Sequence, residues 1–237
     1  MASKFGLLSK LTIIQDIASS FIASVDGAII HNIEKYLALN KIFYYTSTEG
    51  IEGDYLEFGV YTGSSFTCAM KCCRKNFKYL TGGGKFFGFD SFKGFGELDN
   101  KDKHNFFQDE NFPSSLKLVE KRVKRFRKTF DIQLIEGFFC DSLKDGAASL
   151  GITKAKIIFV DSDTYTAAKD VFDFCAPIVQ NGTIVVLDDA MSYKGNPNAG
   201  ESLAFREFIE KNKLIAIDFF SYGVGSKVYI LSGVGEI

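Results

Sequence analysis

From Gly50 onward the sequence alternates between short apolar runs of strand length and longer segments of helix length, and this alternation restricts the fold more than any other feature. The runs cover residues 55–60, 86–90, 132–135, 157–161 and 183–188. They carry little polar alternation, which suits strands covered on both faces, as in a parallel sheet. The stretches between them exceed the dozen residues that a parallel crossover needs. Two further strand-like runs, 214–221 and 227–231, are separated only by residues 222–226. Five residues are too few for a crossover, so these two strands pair antiparallel. The expected architecture is α/β: a doubly wound, mostly parallel sheet of seven strands with an antiparallel C-terminal strand.

Before this alternation, Leu7, Leu8, Leu11, Ile14, Ile17, Ile22, Val25, Ile29, Ile33, Tyr36 and Leu37 recur at helical spacing, with Gly27 as an interruption. Residues 1–50 therefore read as an N-terminal helical cap of two or three helices, and residues 51–237 as the main domain. No apolar block has the length of a membrane span or the shape of a signal peptide, so a cytoplasmic location without a membrane partner is expected. The 28 basic and 29 acidic residues leave a net charge of −1, which supplies no field for nucleic acid. One basic stretch stands out: residues 117–128 hold seven Lys or Arg against Glu120 alone. It reads as the solvated face of a helix that starts with Ser114 as N-cap, and nucleic acid is not an expected partner. The whole segment 93–129 is too long for a plain connection, and such segments in compact domains are usually functional. The five cysteines are odd in number and lack framework spacing, which favours free thiols in a reducing compartment.

Three constellations carry chemistry. In residues 54–65 a strand runs into Gly59, and a helix starts near Gly63. Glycines there let a ligand approach the backbone, and the helix offers free amides. The spacing Glu57-x-Gly59-x-x-x-Gly63 is not the dinucleotide fingerprint, and a strand–turn–helix with two glycines has a purely structural explanation as well. The glycines of 81–85 are not a phosphate loop, because Phe86 stands where Ser or Thr must bind magnesium. Asp90 ends the next strand, where an acid accepts both hydroxyls of a ribose or else caps a helix. Asp161, Ser162 and Asp163 end one strand, and Asp188 and Asp189 end the next. Side-by-side strands would gather these carboxylates at one edge, where they repel each other unless a cation neutralises them. Hard oxygen ligands at that density suit Mg²⁺ or a similar divalent ion, while Asp163 has helix capping as its alternative role.

Five motifs occur in order: Glu57-Phe58-Gly59-Val60-x-x-Gly63, Phe89-Asp90-Ser91-Phe92-x-Gly94, Gly137-x-Phe139-x-Asp141-Ser142-Leu143, Asp161-Ser162-Asp163-x-Tyr165 and Gly182-x-Ile184-x-x-x-Asp188-Asp189. Together they resemble the macrocin O-methyltransferase family over roughly residues 53–208. The resemblance implies a Rossmann-like fold and residues 51–237 as an S-adenosylmethionine-binding methyltransferase domain. It also implies metal-dependent methylation of a sugar hydroxyl on a glycosylated small molecule, with self-association common in the family. Carried onto this chain, it implies that Glu57, Gly59 and Gly63 surround the methionine part of the cofactor. Asp90 would hold the ribose, and Ser91, Gly137 and Phe138 would flank the adenine. Asp161, Asp188 and Asp189 would bind Mg²⁺, and Asp163 would be the general base.

The chain departs from the family at Ala190, where an aromatic is usual, and at Gly96, where a proline is usual; residues 192–200 match a Gly-rich stretch only loosely. These departures lie toward the acceptor side and leave the acceptor open. A catechol-type O-methyltransferase is a second reading, weakened by Thr164 where that family carries a lysine base. A nicotinamide-dependent oxidoreductase is disfavoured by the glycine spacing. A non-catalytic cofactor-binding protein is disfavoured by the acid cluster, for which a mere binder has no use.

Overall fold

The computed structural model describes residues 11–76, 84–96, 98–105, 107 and 114–235. Five strands, β1 (Asp54–Phe58), β2 (Phe86–Asp90), β3 (Ile132–Glu136), β4 (Ala155–Val160) and β5 (Ile184–Leu187), run parallel. A C-terminal hairpin, β6 (Ile215–Tyr222) and β7 (Ser226–Ser232), adds β7 antiparallel to β5. The sheet order is β3-β2-β1-β4-β5-β7-β6, so β7 alone is reversed. The connection inside the hairpin is shorter than the sequence suggests, only residues 223–225.

Strands β4 and β5 are buried at every position because helices cover both sheet faces. Alternate residues point to opposite layers. Tyr55, Phe159 and Val186 meet α2 (Gly27–Thr48), α3 (Ser64–Asn76) and α4 (Leu116–Val123) through Leu39, Phe43, Phe66, Met70 and Val119. Leu56, Phe58 and Val160 meet α5 (Tyr165–Cys175) and α6 (Gly200–Lys211) through Val171, Phe172, Phe205 and Phe208. Much of this core is phenylalanine. Phe58 stacks on Phe89 at 4.7 Å, with Phe174 edge-on to both.

Two local expectations shift. The interruption expected at Gly27 falls just before it: α1 (Thr12–Ala23) and α2 meet at about 90°, and Gly27 is the first residue of α2. The break is set by Asp26, whose carboxylate accepts the Ala28 amide at 2.7 Å as an N-cap. The basic helix α4 is capped by Ser115 rather than Ser114 and ends at Val123. Leu7, Leu8, residues 81–83 and residues 108–113 lie outside the described residues. The apolar face of α1 has no cover from the described part of the chain, with Ile13, Ile17 and Phe21 each about two-thirds or more exposed. No single described helix is long and apolar enough to cross a membrane. All five cysteines are free thiols.

The strand order reverses between β1 and β4, and ligands of doubly wound sheets bind outside the carboxyl ends of the strands at such a switch point. A cavity of about 1000 Å³ opens there.

Candidate active site

The cavity is walled by the turns that follow β1, β2, β3, β4 and β5 and by the first turns of α2. Gly59, at φ +92°, leaves β1 beside Asp161, and a Cβ on it would stand 1.8 Å from the Asp161 carbonyl oxygen. The glycine is therefore required by the neighbouring strand end, in addition to lining the cavity. Gly63, at φ +77°, faces away and packs on Val119 of α4. Glu57 lies under the cavity floor with no exposure, accepting the Ser65 hydroxyl at 2.7 Å and the Tyr55 hydroxyl. Burial pushes its carboxyl up to about 8. Neither Glu57 nor Gly63 borders the cavity.

The other residues expected on the nucleoside side do come together. Asp90 accepts the Tyr61 and Phe92 amides at 2.6 Å each, and burial raises its pKa. Ser91 turns its hydroxyl onto the Gly94 carbonyl at 2.6 Å. Gly137, at φ +149°, donates its amide to the Asp90 carbonyl at 3.0 Å, and Phe138 lays its ring against Gly96. Gly96 sits at φ +71°, which a proline cannot adopt, so this departure follows from the local backbone.

Across the cavity, Asp161, Asp163 and Asp189 each offer an oxygen within 4.8 Å of the others. This differs from the expected set. Asp163 stands in the group, and Asp188 is turned away from it. Helix α2 is the cause. Lys35 reaches Asp188 Oδ2 at 2.6 Å and Asp161 Oδ2 at 2.9 Å, and His31 Nε2 lies 3.1 Å from the same Asp188 oxygen. The Tyr222 hydroxyl donates to the other carboxylate oxygen of Asp188, and the Ser226 hydroxyl donates to the Asp188 backbone carbonyl at 2.6 Å.

Charge follows this division. Burial and the Asp188 charge push Asp161 up to about 7. Burial and the Asp189 charge push Asp163 well above the usual carboxylate range, and Asp189 is raised by burial and by Asp188. Burial also acts on Asp188, but Lys35 and His31 outweigh it and hold Asp188 below that range. Glu201, in the first turn of α6 and fully buried, ties the two strand ends together. Its carboxylate accepts the amides of Ser162 at 2.9 Å, Asp163 at 3.2 Å and Asp189 at 3.1 Å. Asp163 does not cap α5. Thr164 does, accepting the Ala167 amide, while the buried Asp102 accepts the amides of Tyr165 and Thr166.

An aromatic group closes the remaining side. His104 stacks on Phe107 at 4.3 Å and meets Tyr193 at 5.0 Å, and the Tyr193 hydroxyl donates to the Asp102 carbonyl at 2.9 Å. Tyr193 and Lys194 both adopt left-handed backbone angles, and the Tyr193 ring covers Gly200.

Sequence reasoning missed Lys35, His31, Glu201 and Asp102. For Lys35 a signal existed: it falls in helical step with buried Ala38, Leu39, Ile42 and Thr46, a lysine on a core-facing stripe. Glu201 gives no such signal, because its partners lie in turns distant in sequence.

The geometry agrees with what comparison with known proteins finds. The family model for Macrocin-O-methyltransferase (TylF) matches residues 34–222. Mycinamicin III 3''-O-methyltransferase of Micromonospora griseorubida is 25% identical over 150 residues. That alignment takes in 60% of this chain and 56% of the relative, so the chain spans little more than half of the relative's length. Among solved structures, the O-methyltransferase NovP superposes with a TM-score of 0.66 at 17% identity, covering 82% of this chain and 78% of that one. The calicheamicin methyltransferase CalS11 gives 0.63 at 19% identity, covering 82% and 77%. These two likenesses establish the fold. The family match extends over most of the chain and includes every carboxylate around the cavity, and the chain belongs to the macrocin-O-methyltransferase family.

Proposed function

We propose that the chain is an S-adenosylmethionine-dependent O-methyltransferase whose acceptor is a hydroxyl of a sugar or of a glycosylated small molecule. One observation carries the reading: a single cavity has Asp90 on one wall and the Asp161, Asp163 and Asp189 carboxylates on another. The family membership and the relative that acts on mycinamicin III support the acceptor class.

S-adenosylmethionine fits the first wall and supplies, when bound, a methyl group already activated on a sulfonium. Asp90 lies at the end of β2 beside the switch point, where it would accept the two ribose hydroxyls. Phe138 and Gly137 would cover the adenine, with Gly59 and Tyr61 flanking the rest of the cofactor. Glu57 acts from below by fixing Ser65 at the start of α3. What remains for the chain is alignment of the acceptor and removal of its proton.

For the metal, the set Asp161, Asp188 and Asp189 does not fit, because Lys35 already bridges two of its members. The trio Asp161, Asp163 and Asp189 fits a Mg²⁺-type ion by donor chemistry and spacing, and such an ion would supply Lewis acidity toward the acceptor oxygen. Asp163 also lines the cavity, where it would accept the proton that the hydroxyl gives up. His104, Phe107 and Tyr193 offer flat faces on which the apolar side of a sugar ring stacks. Self-association through the exposed apolar faces of α1 and α2, and a cytosolic site for five free thiols, complete the reading.

Calorimetry with S-adenosylmethionine, followed by transfer of labelled methyl to a panel of glycosides and nucleotide sugars, tests it. Saturable binding and a labelled ether product are expected. Absence of S-adenosylmethionine binding by the folded chain would overturn it.

A further inference from the structure

Helix α2 brings a buried ammonium into the acidic rim. Lys35 is 7% exposed, and its Nζ lies 2.9 Å from Asp161 Oδ2 and 2.6 Å from Asp188 Oδ2. The same ammonium stands over the Phe159 ring at 5.8 Å. Asp161 and Asp188 follow neighbouring strands, and two carboxylates placed so are what a divalent ion would otherwise bridge. The ammonium already supplies the positive charge there. A divalent ion between the same oxygens would stand a few ångströms from it in a poorly solvated setting, where like charges repel strongly. Both Asp188 carboxylate oxygens are already engaged: Oδ2 serves Lys35 and His31, and Oδ1 accepts the Tyr222 hydroxyl.

We propose that Lys35 is the resident cation of the seat between Asp161 and Asp188, so that this seat is closed to divalent metal and an ion binds through Asp161, Asp163 and Asp189 instead. Lys35 thus works as a positioning residue. It docks α2 on the sheet edge, bridges two strand-end carboxylates, and makes the N-terminal region part of the site. The inference rests on the rim geometry and not on methyl transfer, so it survives or fails separately from the function proposed above.

Mn²⁺ binding to the full chain, followed by the loss of the free-ion electron paramagnetic resonance signal, tests it without turnover. Replacing Lys35 by Met (Lys35→Met) opens the seat and is expected to tighten Mn²⁺ binding by about tenfold or more. Lys35→Arg keeps the charge and is expected to bind Mn²⁺ like the unmodified chain. Asp188→Asn is expected to leave Mn²⁺ affinity within about twofold, which checks the idea even if Lys35→Met fails to fold. No gain in Lys35→Met, whether both proteins bind alike or neither binds, overturns the proposal. A large loss of affinity in Asp188→Asn overturns it too, since Asp188 would then be a ligand. Calorimetry with S-adenosylmethionine on the same samples reports on the methyltransferase reading independently.

Discussion

Gly59 and Asp161 are locked together: the Asp161 carbonyl oxygen occupies the place of the Cβ that Gly59 lacks. The Asp161 amide also donates to the Phe58 carbonyl at 2.9 Å, so the ends of β1 and β4 are joined on either side of this point. Any side chain at position 59 must move the turn that presents the first acid of the rim. Gly59→Ala is expected to cost about 1–3 kcal/mol for the left-handed backbone alone, with a further cost for displacing a carbonyl. Its urea midpoint should fall clearly below that of the unmodified chain, and S-adenosylmethionine affinity should fall with it. An unchanged midpoint would contradict the packing described here.

Glu201 offers a second mechanical test. One fully buried carboxylate holds three backbone amides from two different strand ends. Glu201→Ala leaves those amides without their acceptor, a loss of about 1–3 kcal/mol for each buried donor that water does not reach. Methyl transfer is expected to drop by well over tenfold through misplacement of Asp163 and Asp189, even where circular dichroism shows a folded sheet. Glu201→Gln keeps a carbonyl oxygen in place and should retain more activity than Glu201→Ala. Equal activity of the two variants would argue against a positioning role.

The sheet was legible because its signal is local and repeated. Residues 157–160 read as a fully buried strand and are one, and the short gap before residue 227 forces the hairpin. The convergence of Asp161, Asp163 and Asp189 also follows from strand order, since adjacent parallel strands bring their ends together. How those acids divide their partners was not legible. Asp188 and Asp189 are neighbours in sequence, yet one faces Lys35 and the other faces Asp163, a choice made by where α2 docks. Gly63 illustrates the same limit: its freedom serves Val119, a contact between segments far apart in the chain.

Asp90 tells the proposed cofactor wall apart from the acid rim. Its oxygens accept the Tyr61 and Phe92 amides, so it shapes two turns and faces the cavity as well. Asp90→Ala is expected to weaken S-adenosylmethionine binding in calorimetry by at least about tenfold, the worth of a hydrogen-bonded charged partner. Mn²⁺ affinity should stay unchanged, because Asp90 is not part of the acid group. Loss of metal binding with intact cofactor binding would reverse the assignment of the two walls.

Glu57 predicts a pH dependence of stability. Its pKa in the folded chain is pushed up to about 8 by complete burial, whereas an unfolded glutamate titrates near ~4.3. Between those values the folded chain holds a proton that the unfolded chain has released. The contribution of Glu57 is therefore fully present below about pH 4.3, declines as pH rises, and is lost above the folded pKa, with a slope of up to ~1.4 kcal/mol per pH unit. Glu57→Gln keeps the shape and the hydrogen bonds to Tyr55 and Ser65 but cannot ionise. Urea unfolding at about pH 5.5 and at about pH 8.5 should show the unmodified chain losing more stability between the two conditions than Glu57→Gln does. Parallel pH profiles for the two proteins would mean that Glu57 is already ionised in its buried seat, held there by the Tyr55 and Ser65 hydroxyls.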